Sequence, residues 1–154
     1  DILYHDMYEN KPAEEALGAR RVDLDTLLSE SDFVSAHTDL NQSTQGMFNQ
    51  DAFRKMKNTA VFINSARGPL HDQVALYEAL KTGEIFSAGL DVTDPEPVVM
   101  DDPLLTLPNV VVAPHIASAT VMSRNGMADI AADNLIMGVS GAVSYPHLTL
   151  PTKA

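Results

Sequence analysis

The chain has 154 residues, 45% of them apolar, a formal charge of −11 and no cysteine. This is the length of one ordinary domain with material for a core; without cysteine there are no disulfides, no thiolate catalysis and no sulfur-ligated metal, which fits a reducing cytoplasm. The acidity argues against a nucleic-acid or anionic-membrane surface, since both need clustered Lys and Arg, and no apolar run nears the roughly 20 residues that cross a bilayer.

The chain begins inside what reads as a strand, Ile2-Leu3-Tyr4, with no turn, cap or initiating methionine ahead of it, so more sequence is expected upstream. His5-Asp6 ends that strand and supplies the first carboxylate at a strand terminus. Pro12 to Leu17 reads as a short helix with proline and acids in its first turn and Gly18 at its end. Arg20-Arg21-Val22 fits a small strand, and Asp23 caps a helix over Leu24 to Leu28.

Asp32 to His37 is the next strand, followed by a polar loop from Thr38 to Thr44 and a helix around Asp51 to Met56. Ala60 to Asn64 is a short apolar run of the kind that forms a fully buried parallel strand, and it turns abruptly into Ser65-Ala66-Arg67-Gly68. Asp72 caps an amphipathic helix, Gln73 to Thr82, with Val74, Leu76, Tyr77 and Leu80 on the expected buried side and Gly83 at its end. Ile85 to Leu90 is a strand closed by Asp91, and Val92 to Pro108 is a loop with at most one helical turn near Leu104. Asn109 to Ala113 is the last strand, Pro114-His115 ends it, and a helical pattern runs from Ser118 to about Val139.

Strands alternating with helices predict an α/β fold with a doubly wound, mainly parallel sheet of about five strands. No Gly-x-Gly-x-x-Gly turn is present, although the rest suits a Rossmann-type nucleotide-binding fold; that turn is expected upstream.

In a parallel sheet the carboxyl ends of the strands share one edge, where ligands bind. Arg67, then Asp91 with Glu96, then His115 follow three successive strands. Together they make a proton-transfer site with an anion anchor, suited to a substrate with a carboxylate beside a carbonyl. Each has a structural reading too: an arginine in a surface ion pair, an aspartate closing a turn, a glutamate solvated between two prolines, a histidine in a turn. Asp6 could equally begin a turn. His5, His37, His71 and His147 show no metal-ligand spacing and read as surface or loop residues, and the seven methionines read as core filling on helical faces.

Asn64-Ser65-Ala66-Arg67-Gly68, Gly89-Leu90-Asp91-Val92, Asp94-Pro95-Glu96-Pro97 and Pro114 to Thr120 together resemble the D-2-hydroxyacid dehydrogenases, most of all the glyoxylate/hydroxypyruvate reductases. The resemblance covers Ile2 to about Gly141. It implies an NAD(P)-dependent reductase of a small 2-oxo acid, dimeric and cytoplasmic, working in a cleft between a nucleotide-binding and a substrate-binding domain. Residues 1–117 would be a nucleotide-binding domain lacking its first strand and glycine-rich turn. Residues 118–141 would be the helix leading back to an absent substrate domain. A tail from 142, with two prolines from Ser144 on, fits neither the family nor the helix.

By the same resemblance Arg67 holds the substrate's carboxylate and carbonyl, His115 is the general acid and base, and Glu96 pairs with His115. The cofactor would be contacted by Asp6 at the adenosine ribose, Thr44 at the adenine end, Ser65, Ala66 and Arg67 at the nicotinamide ribose, and Asp91, His115 and Ala117 around the nicotinamide. An acid at Asp6 repels a 2′-phosphate and so favours NAD, while nearby Lys11 leaves NADP open. Asp39 stands where the family often has proline. No metal is implied. The rival readings are a cofactor-sensing binding protein, like the corepressors on this fold, and a fragment without activity of its own.

Overall fold

The structure, a computed structural model, describes residues 1–142, so the expected tail from Ser144 and His147 within it lie outside the described residues. The elements are β1 (Leu3–Tyr4), α1 (Lys11–Leu17), β2 (Arg20–Arg21), α2 (Leu24–Glu30), β3 (Phe33–Ala36), α3 (Gln50–Lys55), β4 (Val61–Asn64), α4 (Gln73–Thr82), β5 (Ser87–Leu90), β6 (Val110–Val112) and α5 (Val121–Ser140), with 3-10 turns at Gly68–Leu70 and Pro103–Thr106. The helix boundaries follow local chemistry. Asn10, Asp23, Asn49 and Asp72 each accept an amide hydrogen bond at the start of α1 to α4, and Gly18 and Gly83 close α1 and α4 in the left-handed conformation.

The α/β class holds, with every strand pair parallel; there are six strands where the sequence suggested about five, and they form two sheets. β1 pairs only with β2; β3, β4, β5 and β6 form a four-stranded sheet in that order. Because the four strands run in sequence order and in parallel, their carboxyl ends lie side by side.

One face of the four-stranded sheet carries Val34, Ala36, Phe62, Asn64, Ala88 and Leu90, all buried. Phe62 sits at its centre, 4.9 Å from the Phe48 ring and 5.3 Å from that of Phe53, which α3 presents. Leu76, Ala79 and Leu80 of α4 complete this layer. Burying each large side chain here contributes about 1.5–3 kcal/mol.

Three expectations are corrected. β4 is not buried on both faces: Phe62 and Asn64 point inward, while Val61 and Ile63 are half-buried, and Phe33 of β3, Val111 of β6 and Phe86 just ahead of β5 are exposed. Val74 is exposed, because α4 packs on Leu76, Ala79 and Leu80 and leaves position 74 on the other side. The methionines mostly do not fill the core: Met56 is buried, but Met7, Met100, Met122 and Met127 are exposed.

The chain divides into two compact units, Asp1–His115 and the remainder from Ile116. The second contains α5, capped by Thr120, whose side chain accepts from the Ser123 amide, and closed by Gly141. Its apolar side chains Val121, Met122, Ile130, Leu135 and Ile136 are exposed. Among the described residues no helix is long and apolar enough to cross a membrane.

Candidate active site

β4 ends at Asn64, whose inward position in the strand buries its carboxamide completely. A buried amide needs partners, and the following turn supplies them. Asn64 Oδ1 accepts from the Ala66 amide at 3.0 Å, and Nδ2 donates to the Arg67 carbonyl at 2.9 Å and to His71 Nδ1 at 2.9 Å. The turn Ser65-Ala66-Arg67 is thus built around one side chain. Since Asn64 donates, His71 Nδ1 accepts and its proton lies on Nε2, which is buried without a partner. Burial holds the His71 ring well below its ordinary titration, from 6.5 to about 4, against the opposing pull of Asp94 and Asp72. His71 is therefore a core residue and not the surface or loop residue that the sequence suggested; His5 and His37 are exposed as expected.

Arg67 itself is exposed, with Nη1 donating to the Ala66 carbonyl at 2.6 Å. That uses one of a guanidinium's five donors. The next residue, Gly68, lies so close to the neighbouring loop that a Cβ there would stand 1.9 Å from the Thr93 carbonyl oxygen. Only glycine allows this approach, and it joins the Arg67 turn to the loop after β5.

Asp91 ends β5, nearly buried, and its amide donates to the Asn64 carbonyl at 2.9 Å. Thr93 is buried and its hydroxyl donates to the Pro95 carbonyl at 2.9 Å, shaping the loop that carries Glu96. After β6, Pro114 leads into His115, which holds φ at 54° and is the one non-glycine residue with positive φ among the described residues. Such a conformation costs about 1–2 kcal/mol and persists where its surroundings over-determine it. Here the ring is held by Glu96: Nδ1 and Oε1 are 2.5 Å apart, although the two residues are 19 positions apart in the chain.

Asp91, Thr93, Glu96 and His115 line one cleft of about 390 Å³ beyond the strand ends, with Val98, Leu105, Val112 and Pro114 as its apolar wall. A cleft that sets polar groups against an apolar wall suits a small, flat, partly polar ring.

The structure thus brings Asp91, Glu96 and His115 to one cleft and sets Ser65, Ala66 and Arg67 at the end of the adjoining strand. Thr44 lies on the loop before α3, where its hydroxyl donates to the Asp39 carbonyl at 2.7 Å; that loop meets the Arg67 region through Gly46, whose amide donates to the Pro69 carbonyl at 2.8 Å. Asp6 is exposed at the end of β1, with Oδ1 accepting from the Tyr8 amide, and Arg21 donates to the Asp6 and Met7 carbonyls beside it. Ala117 belongs to the second unit. Among the described residues no three His, Asp or Glu side chains are placed to hold a metal ion.

A parallel α/β sheet with its polar groups gathered beyond the strand ends is a Rossmann-type dinucleotide-binding fold. The particular family follows from comparison: the model of the D-isomer specific 2-hydroxyacid dehydrogenase, NAD binding domain, matches residues 1–117. The chain belongs to that family. It is 52% identical over 142 residues to a glyoxylate/hydroxypyruvate reductase B of Klebsiella pneumoniae, which covers 92% of this chain and 44% of that protein. Among solved structures, a Thermus thermophilus protein superposes with a TM-score of 0.85 at 40% identity, covering 96% of this chain and 45% of the other. The NAD-complexed D-isomer specific 2-hydroxyacid dehydrogenase of Lactobacillus delbrueckii ssp. bulgaricus gives 0.87 at 32% identity, covering 97% and 48%. The chain therefore spans less than half the length of the relatives that it matches.

Proposed function

We propose that this chain supplies the nucleotide-binding part, with the acid-base pair, of an NAD(P)-dependent reductase that converts a small 2-oxo acid such as glyoxylate or hydroxypyruvate to its D-2-hydroxy acid. The observation that carries this reading is the Glu96–His115 pair at 2.5 Å in the cleft beyond the strand ends. The reductase names of the relatives support the substrate class.

Carbonyl reduction of a 2-oxo acid needs a hydride at carbon, a proton at oxygen and an anchor for the neighbouring carboxylate. Bound nicotinamide supplies the hydride. With Nδ1 engaged by Glu96, Nε2 of His115 is the nitrogen available to the carbonyl oxygen, and in the charged ring it carries the proton that the product alcohol gains. Glu96 fixes the plane of the ring and compensates the charge. Arg67 offers a fork of donors to the substrate's carboxylate and carbonyl. Asp91, Ser65 and Ala66 border the nicotinamide and its ribose in this reading, and Thr44 the adenine end. Asp6 takes the adenosine ribose hydroxyls, which favours NAD over NADP.

The test is turnover. In protein expressed from its complete gene, His115→Ala is expected to slow NADH oxidation by glyoxylate by about 10²–10⁴-fold while NADH binding persists. Undiminished turnover in the variant would reject the assignment.

A further inference from the structure

Glu96 stands on a loop without regular structure, and a side chain from outside the loop bonds to it at two points. From Val92 the chain runs irregularly until the 3-10 turn that begins at Pro103. One side chain from another element touches both ends of this span. Gln73, the first residue of α4, accepts from the Asp94 amide on Oε1 at 3.0 Å and donates from Nε2 to Asp102 Oδ2 at 2.5 Å. Neither bond can be exchanged for the other, since an amide N–H only donates and a carboxylate only accepts.

Asp102 is itself fixed. Its other oxygen accepts from the Leu104 amide at 2.8 Å, which caps the 3-10 turn, and Leu104 is fully buried. Asp94 adjoins buried Thr93, against which Gly68 packs, and the Thr93 hydroxyl holds the Pro95 carbonyl. Glu96 thus sits two residues past one anchor and six before the other. Its reach to His115 Nδ1 depends on where both are set.

We propose that Gln73 is a positioning residue for the Glu96–His115 pair: its carboxamide holds both ends of the 94–102 span at the start of α4 and so sets the distance between Glu96 and the imidazole. The inference rests on reading that pair as the acid-base group of the proposed reductase. Gln73 does not line the cleft, so its effect passes through Glu96.

The experiment is nuclear magnetic resonance on the chain, following the His115 Nδ1 proton, which a short bond to a carboxylate carries far downfield. Glu96→Gln assigns the signal. Gln73→Glu keeps the side chain's length and an oxygen for Asp94 but sets a carboxylate against Asp102. The expected result is loss of the downfield signal or roughly ten-fold faster exchange of that proton with water, as the loss of one charge-assisted hydrogen bond implies, with the amides of β4 and β5 unmoved. Adding Asp102→Asn to Gln73→Glu lets donor and acceptor change places and is expected to restore the signal.

An unchanged signal in Gln73→Glu, or none regained in the double variant, overturns the proposal. Should Gln73→Glu fail to fold, Asp102→Asn alone keeps an oxygen for Leu104 and breaks the same link from its other end; an unchanged signal there is equally fatal. The readout is a proton on the pair and not turnover. A failed clamp therefore leaves the His115→Ala result standing, and a failed reductase assignment leaves the clamp standing.

Discussion

Burial makes His71 sensitive to protons although it takes no part in the proposed chemistry. The ring is 3% exposed and stays neutral in the fold down to about pH 4, whereas in the unfolded chain it titrates at its ordinary 6.5. Between those values the unfolded state holds the extra proton, so the fold loses stability as pH falls through that window and has its full value above it. The cost is roughly 3 kcal/mol once the lower value is passed. In denaturant unfolding, wild type is expected to lose more stability than His71→Val between about pH 7 and about pH 4.5, by most of that amount; parallel losses would remove the buried ring as the cause. Asn64 could have been singled out in the sequence, as a carboxamide at an inward position of an apolar strand must find partners. His71 could not, because nothing local marks a loop residue as buried. The role proposed for Asp6 offers a second test at this scale: if its charge opposes a 2′-phosphate, NADPH binding relative to NADH is expected to rise about ten-fold in Asp6→Ser, worth about 1.4 kcal/mol.

Among the elements, α4 and the turn ahead of it tie the site together. Asp72 accepts from the Val74 and Ala75 amides, and Asp72→Ala is expected to lower stability by about 1 kcal/mol, read as a shift in denaturant midpoint. Gly68→Ala is the harsher change. Its new carbon would overlap the Thr93 carbonyl, so two backbones must separate, and a loss of about 2–4 kcal/mol is expected; a thermal midpoint within a degree or so of wild type would show that the loops yield freely. The bounds of α4 were legible to the residue, because a cap and a left-handed glycine are local signals. Which of its faces is buried was less so: Val74 and Leu76 are both apolar, and the sheet that chooses between them is not local. The same holds for β4, whose apolar run told of burial without telling how many faces are covered. Gln73 was illegible for a related reason, since Asp94 and Asp102 lie 21 and 29 residues away.

Across the whole molecule the strand ends that carry Arg67, Asp91 and His115 could be aligned from sequence, because parallel strands in chain order leave little choice of topology. The sheet is in two pieces, β1 with β2 and β3 to β6, as a nucleotide-binding fold without its first strand would be. That split has a consequence for stability. Around β4 and β5 lie Phe53, Phe62, Leu76 and Leu90, all buried, whereas in the β1, α1 and β2 segment Ala19 is the one buried residue. A two-stranded sheet is marginal by itself, and the Arg20–Glu30 ion pair at 3.5 Å is exposed and adds little. Amide exchange should therefore show two levels. The Arg20 and Val22 amides, which donate to Ile2 and Tyr4, are expected to exchange at least ~100-fold faster than those of Val61 and Asp91, which donate to Asp32 and Asn64. Equal rates would mean that the unit opens only as a whole. If the two levels are found, Asp6 at the end of β1 sits on the part that opens first, while Glu96 and His115 stay fixed on the part that opens last.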